Sequence, residues 1–159
     1  MSNITISVIE NKAGRLLYGV SGESNDRTQA KDIPALAKTY YETVGKHSGE
    51  VMPFFVVSKD YDTISRDFQL FIGGLIESEG LQTFMIPPGT YGKATVKPKF
   101  GFLWSVSIGE TKRAFYTKWL PKSNYTALHM EYEYHTESSK GKHPHIELLF
   151  AIRERTAHD

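Results

Sequence analysis

Leu128-His129-Met130-Glu131-Tyr132-Glu133-Tyr134-His135 alternates apolar and polar side chains, the period of a strand with one face on a core. Leu128, Met130, Tyr132 and Tyr134 share one face; His129, Glu131, Glu133 and His135 share the other. An apolar face on the core and a polar face in water accounts for Glu131 without a functional role. The next apolar run, Ile146-Glu147-Leu148-Leu149-Phe150-Ala151-Ile152, is apolar on both faces and reads as a buried strand. Glu147 within it is either an edge residue at the strand start or a functional acid, because a buried charge is costly unless paired. Upstream, Ala114-Phe115-Tyr116-Thr117-Lys118-Trp119-Leu120-Pro121 reads as an aromatic helix, with Phe115 and Trp119 one turn apart and Pro121 as its stop. Glutamates walled by aromatic rings make a chemically sensible receptor for a lipophilic organic cation.

Working outward, Ile4 to Glu10 and Arg15 to Gly22 read as a strand pair across an Asn-Lys-Ala-Gly turn. Asp32 to Val44 reads as a helix, with Pro34 in its first turn and Gly45 at its end. Leu36, Tyr40 and Val44 share a face of that helix. Met52 to Ser58 and Phe68 to Glu77 read as strands. The second half repeats the order: strands at Leu81 to Ile86 and Tyr91 to Lys97, a helix between Phe102 and Leu120 that Gly109 interrupts, and the two strands already described. Asp67-Phe68-Gln69-Leu70-Phe71-Ile72 also resembles His145-Ile146-Glu147-Leu148-Leu149-Phe150 locally. The shared order suggests an internal duplication, with units 1–79 and 80–159 in a single domain 1–159 and a cleft at their seam.

The chain of 159 residues buries roughly 70% of its unfolded surface as one domain. It has no cysteine, which excludes disulfides and thiolate metal sites. The N-terminus lacks the apolar core of a signal peptide, and no run approaches a membrane span, so the expectation is a cytoplasmic protein with no membrane partner. A net charge of +1 with interspersed signs argues against direct nucleic-acid binding. No nucleophile elbow, P-loop or dinucleotide fingerprint is present. The histidines at 129, 135, 143 and 145 lack the helical spacing of a zinc site and read as surface strand-end residues. No cofactor or metal is expected. Aromatic residues make up 13% of the chain, which favours a pocket lined by rings.

Three stretches together carry a family resemblance. Ile86-Pro87-Pro88-Gly89-Thr90-Tyr91-Gly92 resembles the proline-glycine-tyrosine strand of GyrI-like small-molecule-binding domains. Trp119-Leu120-Pro121-Lys122-Ser123-Asn124-Tyr125 is similar to their tryptophan-leucine-proline helix end with its following tyrosine. Ile146 to Ile152 resembles their closing strand with its glutamate. The resemblance implies an α+β fold of tandem duplicated βαββ-type units, two antiparallel sheets with one main helix each, forming a central groove. It implies the effector-binding domain of multidrug-sensing regulators, here as a free-standing binder of diverse lipophilic, often cationic small molecules, with a regulator protein as a possible partner. Glu147 becomes the pocket carboxylate, and Trp104, Tyr116, Trp119, Tyr125, Tyr132 and Tyr134 become candidate walls. The family's phenylalanine-glutamate-x-tyrosine strand departs here: Tyr132-Glu133-Tyr134-His135 and Met130-Glu131-Tyr132-Glu133 can each stand in for it, which leaves Glu133 a candidate second acid. The competing class implied is a hydrolase of strained cyclopropane-bearing natural products, using the same glutamate and a tyrosine.

Overall fold

The computed structural model describes residues 4–159. Eight strands form one antiparallel sheet: β1 (Ser7–Asn11), β2 (Arg15–Asn25), β3 (Phe54–Lys59), β4 (Asp67–Gly74), β5 (Gln82–Ile86), β6 (Gly89–Val96), β7 (Tyr125–His135) and β8 (Ile146–Glu154). Their order is β1-β6-β8-β7-β3-β4-β2-β5. The architecture is α+β, but the strands do not divide into the two sheets expected from the sequence. The β3–β7 pairing, Phe54 opposite His135 through Ser58 opposite Glu131, fuses the halves into one sheet. Exchanging the halves (β1 for β5, β2 for β6, β3 for β7, β4 for β8) reverses this order onto itself. Each half also gives its first strand away: β1 pairs with β6, and β5 pairs with β2.

The sheet curls into a half-barrel. One cluster of buried side chains gathers residues from every strand: Leu17, Phe55, Val57, Phe71, Ile86, Tyr91, Met130, Tyr132, Leu149 and Ala151, with Ile9, Phe84 and Tyr134 packed against it. Residues on both sheet edges meet in one cluster only on the inside of a curl, so this is the concave face. Gly19 and Gly73 face each other across β2 and β4 so closely that a Cβ on Gly19 would lie 2.0 Å from the Ile72 carbonyl oxygen. Glycine at both positions permits that approach.

Two main helices cover the convex face. Helix α1 (Gln29–Val44) sets Tyr40, Ile33, Leu36, Ala37, Tyr41 and Val44 against Val20, Phe54, Val56 and Ile72. It starts three residues before the expected Asp32. The Asn25 carboxamide oxygen accepts from the Arg27 and Thr28 N–H groups, and Asp32 accepts from the Thr28 and Ser24 hydroxyls, so the turn before Asp32 initiates the helix. Pro34 therefore lies inside the helix, at the cost of one backbone hydrogen bond. Gly45 ends it at φ 69°.

Helix α2 (Trp104–Ala114) continues through a wider π turn, Phe115–Trp119, and a closing turn, Leu120–Lys122. Pro121 sits in that last turn. The π turn aims Phe115 and Trp119 at the sheet. The Phe115 ring stacks on Phe150 at 3.9 Å and 6°, and Trp119 stacks on Phe115 at 5.3 Å and on Tyr125 at 6.1 Å.

Candidate functional site

A groove of about 670 Å³ opens on the convex face beside α2. The sheet supplies Ser58, Thr126, Ala127, His129 and Glu131; the approach to α1 supplies Asp26 and Gln29; the β3–β4 connection supplies Tyr61 and Thr63. One stripe of α2 and its extension forms the other wall: Gly109, Lys112, Tyr116 and Leu120, with Arg113 exposed beside them. Residues three and four apart share a helix face, and Gly109, bare of a side chain, leaves this wall open. The glycine that breaks the helical pattern in the sequence thus lines the groove.

Glu131 is the centre of the groove. Its side chain is 14% exposed. Tyr116 donates its hydroxyl to Oε1 at 2.8 Å, and the Lys112 ammonium lies 2.8 Å from Oε2. Burial pushes the Tyr116 phenol far above its usual range, with the Glu131 charge adding to the effect, so the phenol stays a donor. Burial opposes the charge on Lys112, but the carboxylates of Glu131, Glu133 and Asp26 outweigh it and lift its pKa. On the facing wall Tyr61 donates to Asp26 at 2.7 Å; that bond, with burial, raises the Tyr61 pKa. The charges of three carboxylates therefore act on one half-buried ammonium. Such clusters of perturbed groups in a cleft mark functional sites.

A β-bulge helps to set this geometry. The β7–β8 register shifts between Ala127 and Glu131, and His129 adopts φ 58°, a left-handed conformation. Leu128 is left 49% exposed instead of continuing the apolar face with Met130. The solvated-face account of Glu131 does not hold, because α2 lies over that face. Glu133, two residues on, is buried and bonded to His135 at 2.9 Å.

The other expected site residues lie elsewhere. Trp104, Trp119 and Tyr125 pack under α2 against the cluster of Val96, Phe115, Ile146, Leu148, Phe150 and Ile152. Tyr132, Tyr134 and Glu147 face the concave side, in a second cavity of about 720 Å³ roofed by the β1–β2 hairpin from Ile9 to Arg15. Burial pushes the Tyr132 phenol up to about 12. Glu147 pairs with Lys93 at 3.2 Å, and its side chain is 30% exposed. Of the eight residues singled out, only Tyr116 lines the groove, while three meet in the concave cavity. Sequence reasoning missed Lys112, Asp26 and Tyr61. The Lys112–Tyr116 spacing of four on an aromatic helix was the available signal.

Among the described residues no group of three or more His, Asp or Glu side chains could hold a metal ion, and no helix is long and apolar enough to cross a membrane.

No family model and no curated protein matches the sequence. Solved structures do match the fold. An integron cassette protein from the mobile metagenome of Vibrio cholerae superposes with a TM-score of 0.67 at 11% identity, over 96% of this chain and 100% of its own. The protein SAV2435, solved bound to tetraphenylphosphonium, gives 0.66 at 9% identity, over 94% of each chain. The C-terminal domain of EcmrR gives 0.54 at 14% identity, over 96% of this chain and 99% of its own. These likenesses are consistent with a GyrI-like fold.

Proposed function

We propose that this chain binds lipophilic, often cationic small molecules, and that the convex groove is the site. The carrying observation is the half-buried Glu131, held by Tyr116 and Lys112 and flanked by Asp26 and Glu133. Glu131 and Asp26 line the groove with the half-buried Lys112 and the exposed Arg113, and Glu133 acts on Lys112 from outside the lining, so around the Lys112 ammonium itself carboxylates are in excess. Tyr61, Phe68, Tyr116 and Leu120 supply the apolar walls. A lipophilic cation gains area from the walls and charge from the floor. The match in fold to a protein solved with tetraphenylphosphonium supports this reading. The internal duplication is part of the same proposal, supported by the palindromic strand order.

Glu131, not Glu147, takes the role of pocket acid in this reading, because its side chain is the less exposed of the two, 14% against 30%, and Asp26 and Tyr116 line the groove with it, whereas Glu147 lies in the concave cavity. In this reading the chain serves as an effector-type domain, with a regulator protein as its partner; the likeness in fold to the EcmrR C-terminal domain supports it. Hydrolysis in the same groove is the second reading. The Tyr116–Glu131 hydrogen bond favours it by pairing a proton donor with a carboxylate. Binding ranks first because the Tyr116 hydroxyl already occupies one Glu131 oxygen and the Lys112 ammonium offsets the carboxylate charge that a general base needs.

The test is polarisation of a rhodamine or ethidium dye on titration with the protein, repeated with Glu131→Gln. The expected result is saturation in the micromolar range and a roughly tenfold weaker fit for the variant, the scale of one lost charged contact. A flat titration across several dyes refutes the binding reading. Product formation from a strained-ring substrate on incubation would establish the second.

A further inference from the structure

We infer that the concave cavity is a second, independent binding site, and that it takes a planar organic anion such as an aryl carboxylate. The cavity lies across the sheet from the groove and shares no lining residue with it. Its lining is partly aromatic and apolar: Tyr132, Tyr134 and Leu149, with Ile9 and Ile86.

The charges decide the ligand class. Two acids and three bases line the cavity. Glu147 is paired with Lys93, and Glu10 accepts the Thr90 hydroxyl at 2.5 Å. Lys12 and Arg15 have no carboxylate partner among the described residues. The Arg15 guanidinium instead lies over two rings, 5.6 Å from the Phe55 centroid and 5.5 Å from that of Tyr134. A guanidinium stacked on rings is already oriented, and its N–H edge stays open for a planar oxyanion pair. A ligand cation would instead meet the Arg15 charge at the rings and the Lys93 ammonium at the acid. Arg15 opens β2 at the rim, so the hairpin holds the anion-binding edge above an apolar bed.

The experiment uses three probes of one shape: 2-naphthoate, its neutral methyl ester and 2-naphthylmethylammonium. Each is titrated by calorimetry into the parent chain, Arg15→Met and Arg15→Lys at fixed salt. The expected order in the parent is naphthoate tightest. Arg15→Met should weaken naphthoate tenfold or more and leave the ester unchanged, while Arg15→Lys recovers part of the loss. Arg15 is exposed, so the variants keep the fold, and an unchanged melting temperature checks this. Naphthoate should also bind with the same affinity when a rhodamine dye saturates the groove. Three results overturn the inference: naphthoate binding no tighter than its ester, naphthoate affinity indifferent to Arg15→Met, or preference for the ammonium probe, which would return the cavity to a cation site on Glu147. Competition between naphthoate and the dye overturns the independence of the two sites. The inference does not rest on the groove reading, since dye and naphthoate binding can each fail without the other.

Discussion

Replacing Lys112 by Met should make the groove bind cations better, the opposite of what removing a contact usually does. The ammonium sits 2.8 Å from the Glu131 carboxylate and occupies the seat a ligand cation would want. At an effective dielectric of about 20, a ligand charge about 6 Å from that ammonium is repelled by about 3 kcal/mol. The side chain is 24% exposed, so solvent trims this, and a gain of about 1.4–2.7 kcal/mol, or ten- to hundredfold in affinity, remains. Met keeps the length of the aliphatic stem, so the wall against Tyr116 and Leu120 is preserved. The variant is less stable, by about 1–3 kcal/mol, because Glu131 keeps its charge with only Tyr116 to hold it. A bound cation restores that loss, so the melting temperature of Lys112→Met should rise more on dye addition than that of the parent. The assay is dye polarisation for a cationic and a neutral dye of similar size, with thermal melts in parallel. Unchanged or weaker cation binding in a folded Lys112→Met would refute the reasoning, as would an equal gain for the neutral dye.

Further outcomes follow from the same geometry. Glu147→Gln should leave the cationic dye's affinity within about twofold of the parent, since an exposed pair across the sheet contributes little; polarisation titration decides, and a large loss would move the acid back to Glu147. Tyr116→Phe should free one Glu131 oxygen and lower stability by about 1–2 kcal/mol, read by urea midpoint. Trp119→Ala should cost about 2–4 kcal/mol without altering the dye-binding charge preference, because Trp119 packs on Phe115 and Tyr125 outside the groove. Stability should fall as pH rises above about 10: the unfolded chain releases its phenol protons there, while burial holds Tyr132 protonated to about 12 and Tyr116 higher still. Lys112 adds to the same alkaline loss, because its raised pKa stabilises the fold only while it is charged. Tyrosinate absorbance rising together with loss of circular dichroism checks this; free titration of all phenols in the folded state would contradict it.

Much of the fold was legible locally. Period-two runs mark strands such as β7, the run apolar on both faces marks β8, and the apolar stripe of α1 and the aromatic pair in the turn that extends α2 mark both helices. The partner of each strand was not legible. β3 meets β7 and β1 meets β6 across long stretches of chain, and nothing in either strand's own pattern records which edge it joins. Glu131 was misjudged for a related reason. Alternation places it correctly on the polar face of β7, but whether that face meets water depends on what packs over it. Lys112 and Tyr116 cover it from a helix whose position the sequence does not state. Glu147 shows the reverse case: its strand is apolar on both faces, yet it lies where the hairpin leaves a cavity and Lys93 reaches it.

The giving away of first strands has a consequence for how the molecule comes apart. Among the described residues β1 pairs only with β6, and β5 only with β2, so the outer edge of each half is finished by the other. Neither half owns a complete sheet. Detaching one exposes the bare edges of β2 and β6, together with the apolar concave surface they share. The two halves are thus interlocked, as the subunits of a strand-exchanged dimer would be. Melting should proceed as one cooperative transition without a half-folded intermediate, and a peptide carrying residues 1–79 should acquire native structure only when residues 80–159 are present to clasp it.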